Sequence, residues 1–380
     1  MINDHAEVIV HCQDSGNALG VYECMIEYSG PKPSVMQKRK ILRQGDILLD
    51  GFEAFNFEIG STNKNGNYAL SIVDAQYGIP AIYMERDKSG LAPAVNPNDK
   101  LPGNAGKFAA SFGDLELDDT NSIILTSHYI PEGENVPKEG MFFLCGGLVT
   151  DAGRLLLSSG DLLSGAGTTV KRIGLLDINR EGGEYVAQIS CGIPKSMAKA
   201  VDDGKSIAQT AVVSGNVNLP GKRSLKSASR SLSLSSAASL EAVRGDVVYG
   251  PRVGGVKRTA QIVNSADESM TLYLDDKRVL GTGDQTPLGN TVINFSGPII
   301  GRDGLLYFCT MTNRGTELCV FDGVSVHNII TFGDSIETNG ERIVAIDFGG
   351  VRNMVDSKGR LVFLATFESG KKSAVLGVPV

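Results

Sequence analysis

Seven times along these 380 residues a short turn opening on Asn, Asp or, once, Gly runs straight into a strand of alternating apolar residues. The turns open at Asn3, Asn63, Asp118, Asn179, Asn264, Gly301 and Asp356, and runs such as EVIVHC, NYALSIV, SIILTSHY and RLVFLATF follow them. Asn and Asp bond their own backbone and tolerate left-handed conformation, and Gly supplies a positive φ without steric cost, so NKNG or DSKG closes a tight hairpin. Gly66, Gly304 and Gly359 are the glycines of this turn. In the last copy Leu361, Phe363 and Ala365 point to one face and Val362, Leu364 and Thr366 to the other. Both faces are largely apolar, as in a sheet packed between two neighbours.

A second marker, Gly-Asp followed by a loop and another apolar strand, separates the copies. It gives Asp46, Asp161, Asp246, Asp284 and Asp334, with Asn98-Asp99 as a degenerate version, at steps of 53, 62, 85, 38 and 50 residues. A unit near fifty residues fits four short strands with their turns, which is one propeller blade. The expected fold is therefore an all-β propeller built from four-stranded repeats. Seven strand-pair motifs favour seven blades, while six Gly-Asp-type markers leave six open. The repeated Asp has two readings, a turn residue that accepts backbone N–H bonds or one member of a carboxylate ring around a central channel.

The repeats run through the whole chain, so residues 1–380 read as one propeller domain. The 85-residue step marks an insertion at 192–244 within the fourth repeat, and the 38-residue step suggests that the fifth is cut short. The insertion contains a Ser-rich basic loop, 219–241, with the sequence LPGKRSLKSASRSLSLSSAASLE. Between Lys195 and Arg258 there are 11 Lys or Arg against 4 Asp or Glu, whereas the chain as a whole carries a net charge of −7. An acidic body argues against nucleic acid as the partner. The basic loop, through Lys222, Arg223, Lys226 and Arg230, is the candidate partner-binding surface.

Several chemistries find no motif. The four His are far apart and none has a second ligand at metal spacing. No Walker sequence, Gly-x-Ser-x-Gly elbow or HExxH is present. The closest approach to a calcium site is Asn63, Asn65 and Asn67 or Asp118, Asp119 and Asn121, whose carboxylate tally is low, so structural turns are the stronger reading. No metal, cofactor or catalytic residue is nominated. The six Cys lie in strand patterns without CxxC pairs and read as reduced, buried thiols. Cys12 with Cys24 and Cys309 with Cys319 sit on consecutive strands, where a hairpin disulfide is the alternative. The start lacks the basic and long apolar regions of a signal peptide, and no run of about 18 apolar residues spans a membrane. Synthesis in a cytoplasm is the expectation.

In the pattern DSKGRLVFLA (356–365), with Gly-Asp between copies, the chain resembles bacterial tandem-repeat proteins of the NxxGxxxF, choice-of-anchor type. That resemblance implies a β-propeller-like fold and no established activity. The chain departs from those proteins in lacking a recognisable signal peptide and terminal anchor. The termini better fit a cytoplasmic product that assembles into a larger structure, a virion being one example. The leading expectation is a non-enzymatic scaffold for a protein partner or self-assembly. The alternative is a propeller that binds or processes glycans on one face, for which 6% aromatic residues and no Trp offer little stacking surface.

Overall fold

The computed structural model describes residues 1–27, 34–101, 105–149, 153–163, 168–179, 183–191, 209–217, 233–234, 247–253, 256–264, 269–275, 277–336, 340–348 and 354–378. Among them it shows strands, turns and a single 3-10 turn at Cys145–Gly147. The strands form seven successive antiparallel sheets, one for each predicted repeat.

The first sheet is β1 (Glu7–Gln13), β2 (Leu19–Glu27) and β3 (Ser34–Arg43). The second is β4 (Ala54–Thr62), β5 (Tyr68–Asp74), β6 (Pro80–Glu85) and β7 (Leu91–Val95). The third is β8 (Gly106–Leu117), β9 (Ile123–Pro131), β10 (Lys138–Leu144) and β11 (Arg154–Ser158). The fourth has five strands, β12 (Leu162–Leu163), β13 (Thr168–Asn179), β14 (Glu184–Cys191), β15 (Gln209–Asn216) and β16 (Ser233–Leu234). The fifth is β17 (Val247–Val253), β18 (Val256–Asn264), β19 (Met270–Leu274) and β20 (Lys277–Gly281). The sixth is β21 (Val292–Ile300), β22 (Leu306–Thr312), β23 (Gly315–Phe321) and β24 (Val326–Thr331). The last is β25 (Ile343–Asp347), β26 (Leu361–Phe367) and β27 (Lys372–Gly377). The first and last sheets have three strands, and among the described residues no strand pairs one with the other.

Two compact units emerge. One comprises Met1–Val10, Met25–Met36 and Ala242–Val380; the other comprises His11–Cys24 and Gln37–Glu241. Each is held by apolar clusters that lie between consecutive sheets, and strand alternation explains why. On β10, Phe142 packs with Phe108, Leu125 and Leu144, while Met141 and Phe143 pack with Leu157, Tyr185 and Ile189. On β22, Phe308 joins Ile262 and Leu272, while Cys309 joins Ile343 and Phe363. A strand with one apolar face could serve only one neighbour. Phe142 also meets the rings of Phe108 and Tyr129 edge-on, with centroids 5.0 and 5.4 Å away, a geometry that adds to simple burial.

Several details differ from the sequence expectation. The fifth repeat is a complete four-stranded sheet whose last two strands, β19 and β20, have only five residues each, so short strands and not a missing one explain its compressed step. Part of the stretch read as an insertion, Gln209–Asn216 with Ser233–Leu234, supplies strands of the fourth sheet. In the first strand Glu7, Val8 and Ile9 are buried, with Val8 in one cluster with Leu361 and Phe363, but His11 and Cys12 are exposed. Cys145 is exposed too, and Cys12, Cys24, Cys145, Cys309 and Cys319 are free thiols. Cys309 stands opposite Leu318, and Cys319 opposite Phe308. That one-residue offset puts the two sulfurs on opposite faces of the sheet.

Candidate functional site

The Gly-Asp markers are small hairpins that carry the chain from one sheet to the next. At each one within the described residues, the Asp carboxylate accepts the backbone N–H three residues earlier. Asp46 takes Arg43 at 2.8 Å, Asp161 takes Ser158 at 2.7 Å, Asp284 takes Gly281 at 2.7 Å and Asp334 takes Thr331 at 2.9 Å. Asp99 does the same with Asn96 at 2.7 Å. Two backbone bonds then tie the turn to a strand of the following sheet. Gly45, Gly160, Gly283 and Gly333 donate to the carbonyls of Ala54, Val170, Val292 and Ile343, each of which donates back to the Asp carbonyl. These glycines have φ of 87 to 91°, where any other common residue is strained. Asp246 lies outside the described residues.

Above those anchor bonds the tips project. In the second unit Leu48 N–H bonds Phe52 O and Gly51 N–H bonds Leu48 O, closing a tight turn. Asp50 accepts the Tyr83 hydroxyl at 2.7 Å, and the Phe52 ring lies 5.4 Å from that of Tyr83. These contacts hold the inner side of the loop against β6 and leave the outer side in solvent. Leu49 is 92% exposed, Ile47 73% and Phe55 54%. The neighbouring hairpin is bound through Ala75 N–H to Glu53 O and adds exposed Tyr77 and Ile79. In the other unit the loop from Asp284 to Val292 repeats the same bonds, Thr286 N–H to Asn290 O and Gly289 N–H to Thr286 O. It displays Leu288, and Ile293 follows on β21, each 51% exposed.

The buried ionisable groups are occupied by their own chain. Arg39 on β3 gives both terminal nitrogens to Glu85 at 2.6 Å and its Nε to Glu23 at 2.6 Å. Lys88 approaches the second oxygen of Glu23 at 3.5 Å. Glu85 also accepts Gly90 N–H. Burial pushes the Glu85 carboxyl up, but Arg39, Tyr68 and Gly90 together hold it below the usual range. The Tyr68 hydroxyl is wholly buried beside it without a hydrogen bond of normal geometry, and burial and the Glu85 charge raise its ionisation far above that of a free phenol. In the first unit Glu317, fully buried, is met by Asn290 at 2.7 Å, Thr286 at 3.3 Å and Asn328 at 3.4 Å. Asp322, His327 and Ser325 form an exposed trio, yet both partners share His327 Nε2. A proton relay needs them on different ring nitrogens.

The Asx turns interlock in the same saturated way. Asn121 Oδ1 accepts amide hydrogens from Asn63 at 2.8 Å and Asn67 at 2.7 Å. Asp118 Oδ1 takes Thr120 N–H, Thr120 Oγ1 and Ser122 N–H, and burial, the largest influence, still raises its carboxyl above the ordinary range. Oxygens engaged this way have little left for a cation, and no group of three His, Cys, Asp or Glu suited to a metal occurs among the described residues. Around Asp356 the pattern recurs. The carboxylate holds Lys358 N–H, Arg360 N–H and Arg360 Nε, while Arg360 and Ser357 reach back to Asp4. Gly66, Gly304 and Gly359 take φ of 83, 81 and 72° in these turns. Lys222, Arg223, Lys226 and Arg230 lie outside the described residues. Sequence reasoning missed the displayed apolar tips, although Ile-Leu-Leu directly after Gly45-Asp46 was a signal for them.

No protein-family model matches the chain, and neither does any curated protein. Solved structures are similar in fold. The β-propeller domain of the Trilobed protease from Pyrococcus furiosus, described as having an open velcro topology, aligns over 97% of this chain and 88% of its own, with a TM-score of 0.51 and 9% identity. A puromycin hydrolase aligns over 100% of this chain and 53% of its own at 10% identity and a TM-score of 0.48, so this chain spans about half of it. A glucose dehydrogenase aligns over 82% of this chain and 93% of its own at 13% identity and a TM-score of 0.32. The fold of the present chain is a β-propeller. Among its described residues no helix is long and apolar enough to cross a membrane.

Proposed function

We propose that this β-propeller is a non-enzymatic scaffold whose Gly-Asp crossover tips mediate protein–protein contact or assembly. The observation that carries the reading is Leu49, 92% exposed with Ile47 beside it at 73%, on a loop pinned from below by Asp50, Phe52 and Tyr83. Apolar side chains held rigidly in water are what an interface uses as anchors, since little conformational freedom remains to be lost on binding. Covering one such leucine contributes about 1.5–3 kcal/mol. Leu288 and Ile293 repeat the display in the other unit. Membership among the NxxGxxxF-type repeat proteins, and incorporation into a larger particle, belong to the same proposal.

The test is recovery of tagged protein from the cells that make it, in parallel with an Ile47→Ser, Leu49→Ser variant. A partner that co-elutes stoichiometrically with the native protein is expected to be lost from the variant, with its unfolding temperature unchanged. Retention of that partner by the folded variant refutes the assignment of these tips.

A further inference from the structure

We infer that the crossover from Gln44 to Gly60 receives a basic, apolar segment from a second copy of this chain, namely residues 219–232; this rests on the scaffold reading above. Between Gln44 and Gly60 there are four carboxylates, Asp46, Asp50, Glu53 and Glu58, and no Lys or Arg. Two are already engaged, Asp46 with Lys40 at 2.9 Å and Asp50 with the Tyr83 hydroxyl at 2.7 Å. Glu53 is exposed and forms no ion pair among the described residues. It stands across the hairpin from Ile47, which it meets in an isolated bridge, and its carbonyl holds Ala75 of the adjacent hairpin. The result is an acidic position, Glu53, bordered by exposed Ile47, Leu49, Tyr77 and Ile79. A partner that suits it alternates cationic and aliphatic side chains.

The chain itself contains such a stretch. Residues 219–232, LPGKRSLKSASRSL, carry Lys222, Arg223, Lys226 and Arg230 with Leu219, Leu225 and Leu232, and no carboxylate. The segment ends where Ser233 and Leu234 pair with Ser214 and Val213 on β15, so its far end is attached to the edge of the fourth sheet. Every copy therefore carries both an acidic apolar receptor and a basic apolar donor. Those are two different surfaces, so association through them is head-to-tail and can continue beyond a dimer. Opposite charges steer the encounter, and the leucines against the tip limit dissociation.

Light scattering on the full chain after size exclusion, across a concentration series at low and high salt, tests this. The expected result is a mass above one chain that rises with concentration and falls toward one chain in high salt, as charge screening requires. Glu53→Lys, at an exposed site, is expected to weaken association by about tenfold or more, since it places like charge at the contact. Leu49→Ser weakens it at every salt concentration. Lys226→Glu with Arg230→Glu has the effect of Glu53→Lys, and mixing that variant with Glu53→Lys restores association. A chain that stays monomeric at every concentration, including one that folds its own segment back, overturns the inference. So does association indifferent to Glu53→Lys in a variant with native circular dichroism. A monomer that still needs Leu49 to hold a foreign protein leaves the scaffold reading standing and removes only this one.

Discussion

Removing the guanidinium of Arg39 tests how the second unit is held. Arg39→Ala leaves Glu23 and Glu85, 5% and 2% exposed, without their shared cation. Breaking a buried pair from one side costs about 3–5 kcal/mol, and because the Arg39 side chain is itself 30% exposed, the lower end, about 3 kcal/mol, applies. With a urea m-value of about 2–3 kcal/mol/M, the unit's midpoint should fall by about 1–1.5 M. The penalty should also depend on pH. In the native protein Glu85 titrates below its unfolded value, so its contribution is complete above about pH 4.3 and is lost as pH falls through the folded value. In the variant burial is no longer opposed by Arg39, the folded value rises above the unfolded one, and acid now favours the native state. The gap between the two proteins therefore narrows from pH 7 to pH 4. Adding Glu23→Gln and Glu85→Gln to Arg39→Ala should recover much of the loss. A shift under about 0.5 kcal/mol at pH 7, the size of an exposed pair, or a gap that does not change with pH, refutes the account.

Gly283→Ala should cost about 1 kcal/mol, because φ is 88° but the space around it is open; Gly106→Ala should cost several times more, since its Cβ would press on the Ile130 carbonyl. Both are read from thermal unfolding. Alkylation followed by mass spectrometry should label Cys12 and Cys145 in the native protein. Cys309 and Cys319 should resist until it unfolds, since burial pushes the Cys319 thiol up to about 12 and Cys309 higher still. Asp284→Ala should lower stability by about 1 kcal/mol through loss of the Gly281 N–H acceptor. Arg278 and, against burial, Gly281 hold this carboxyl below the usual range, so the native turn should weaken as pH falls through it and the variant should lose that acid sensitivity.

The parts of this fold legible in the sequence are local ones. Asn63-Lys-Asn-Gly66 or Asp356-Ser-Lys-Gly359 folds on itself and a two-sided apolar run follows it, so the seven strand pairs favoured seven sheets, while the six Gly-Asp-type markers left six open. The Gly-Asp marker was visible for the same reason. Its Asp bonds a backbone N–H three residues away. What could not be read depends on distant residues meeting. Arg39 finds Glu23 and Glu85 across 16 and 46 residues, and Asp50 finds Tyr83 across 33. No spacing rule links such positions. Cys145 looked buried because its strand is, but it falls just beyond β10, in the 3-10 turn. The exposure of Leu49 was not legible either, since an apolar residue beside a turn most often packs into a core, and its display here depends on Asp50 meeting Tyr83.

The bonds from Arg360 and Ser357 to Asp4 span 356 and 353 residues. Ile2 and Val8 share a cluster with Leu361 and Phe363. During synthesis Ile2 and Val8 must therefore wait uncovered until Leu361 and Phe363 have been made. The second unit, contiguous over most of its length, can form first, in the order in which residues leave the ribosome. Completing the first unit closes the loop between Asp4 and Arg360, a step whose entropic cost precedes its contacts and slows folding. A translation product stopped before Asp356 would leave Ile2 and Val8 as a sticky patch, so the sheet of β25 to β27 shields that distant segment as well as completing its own core.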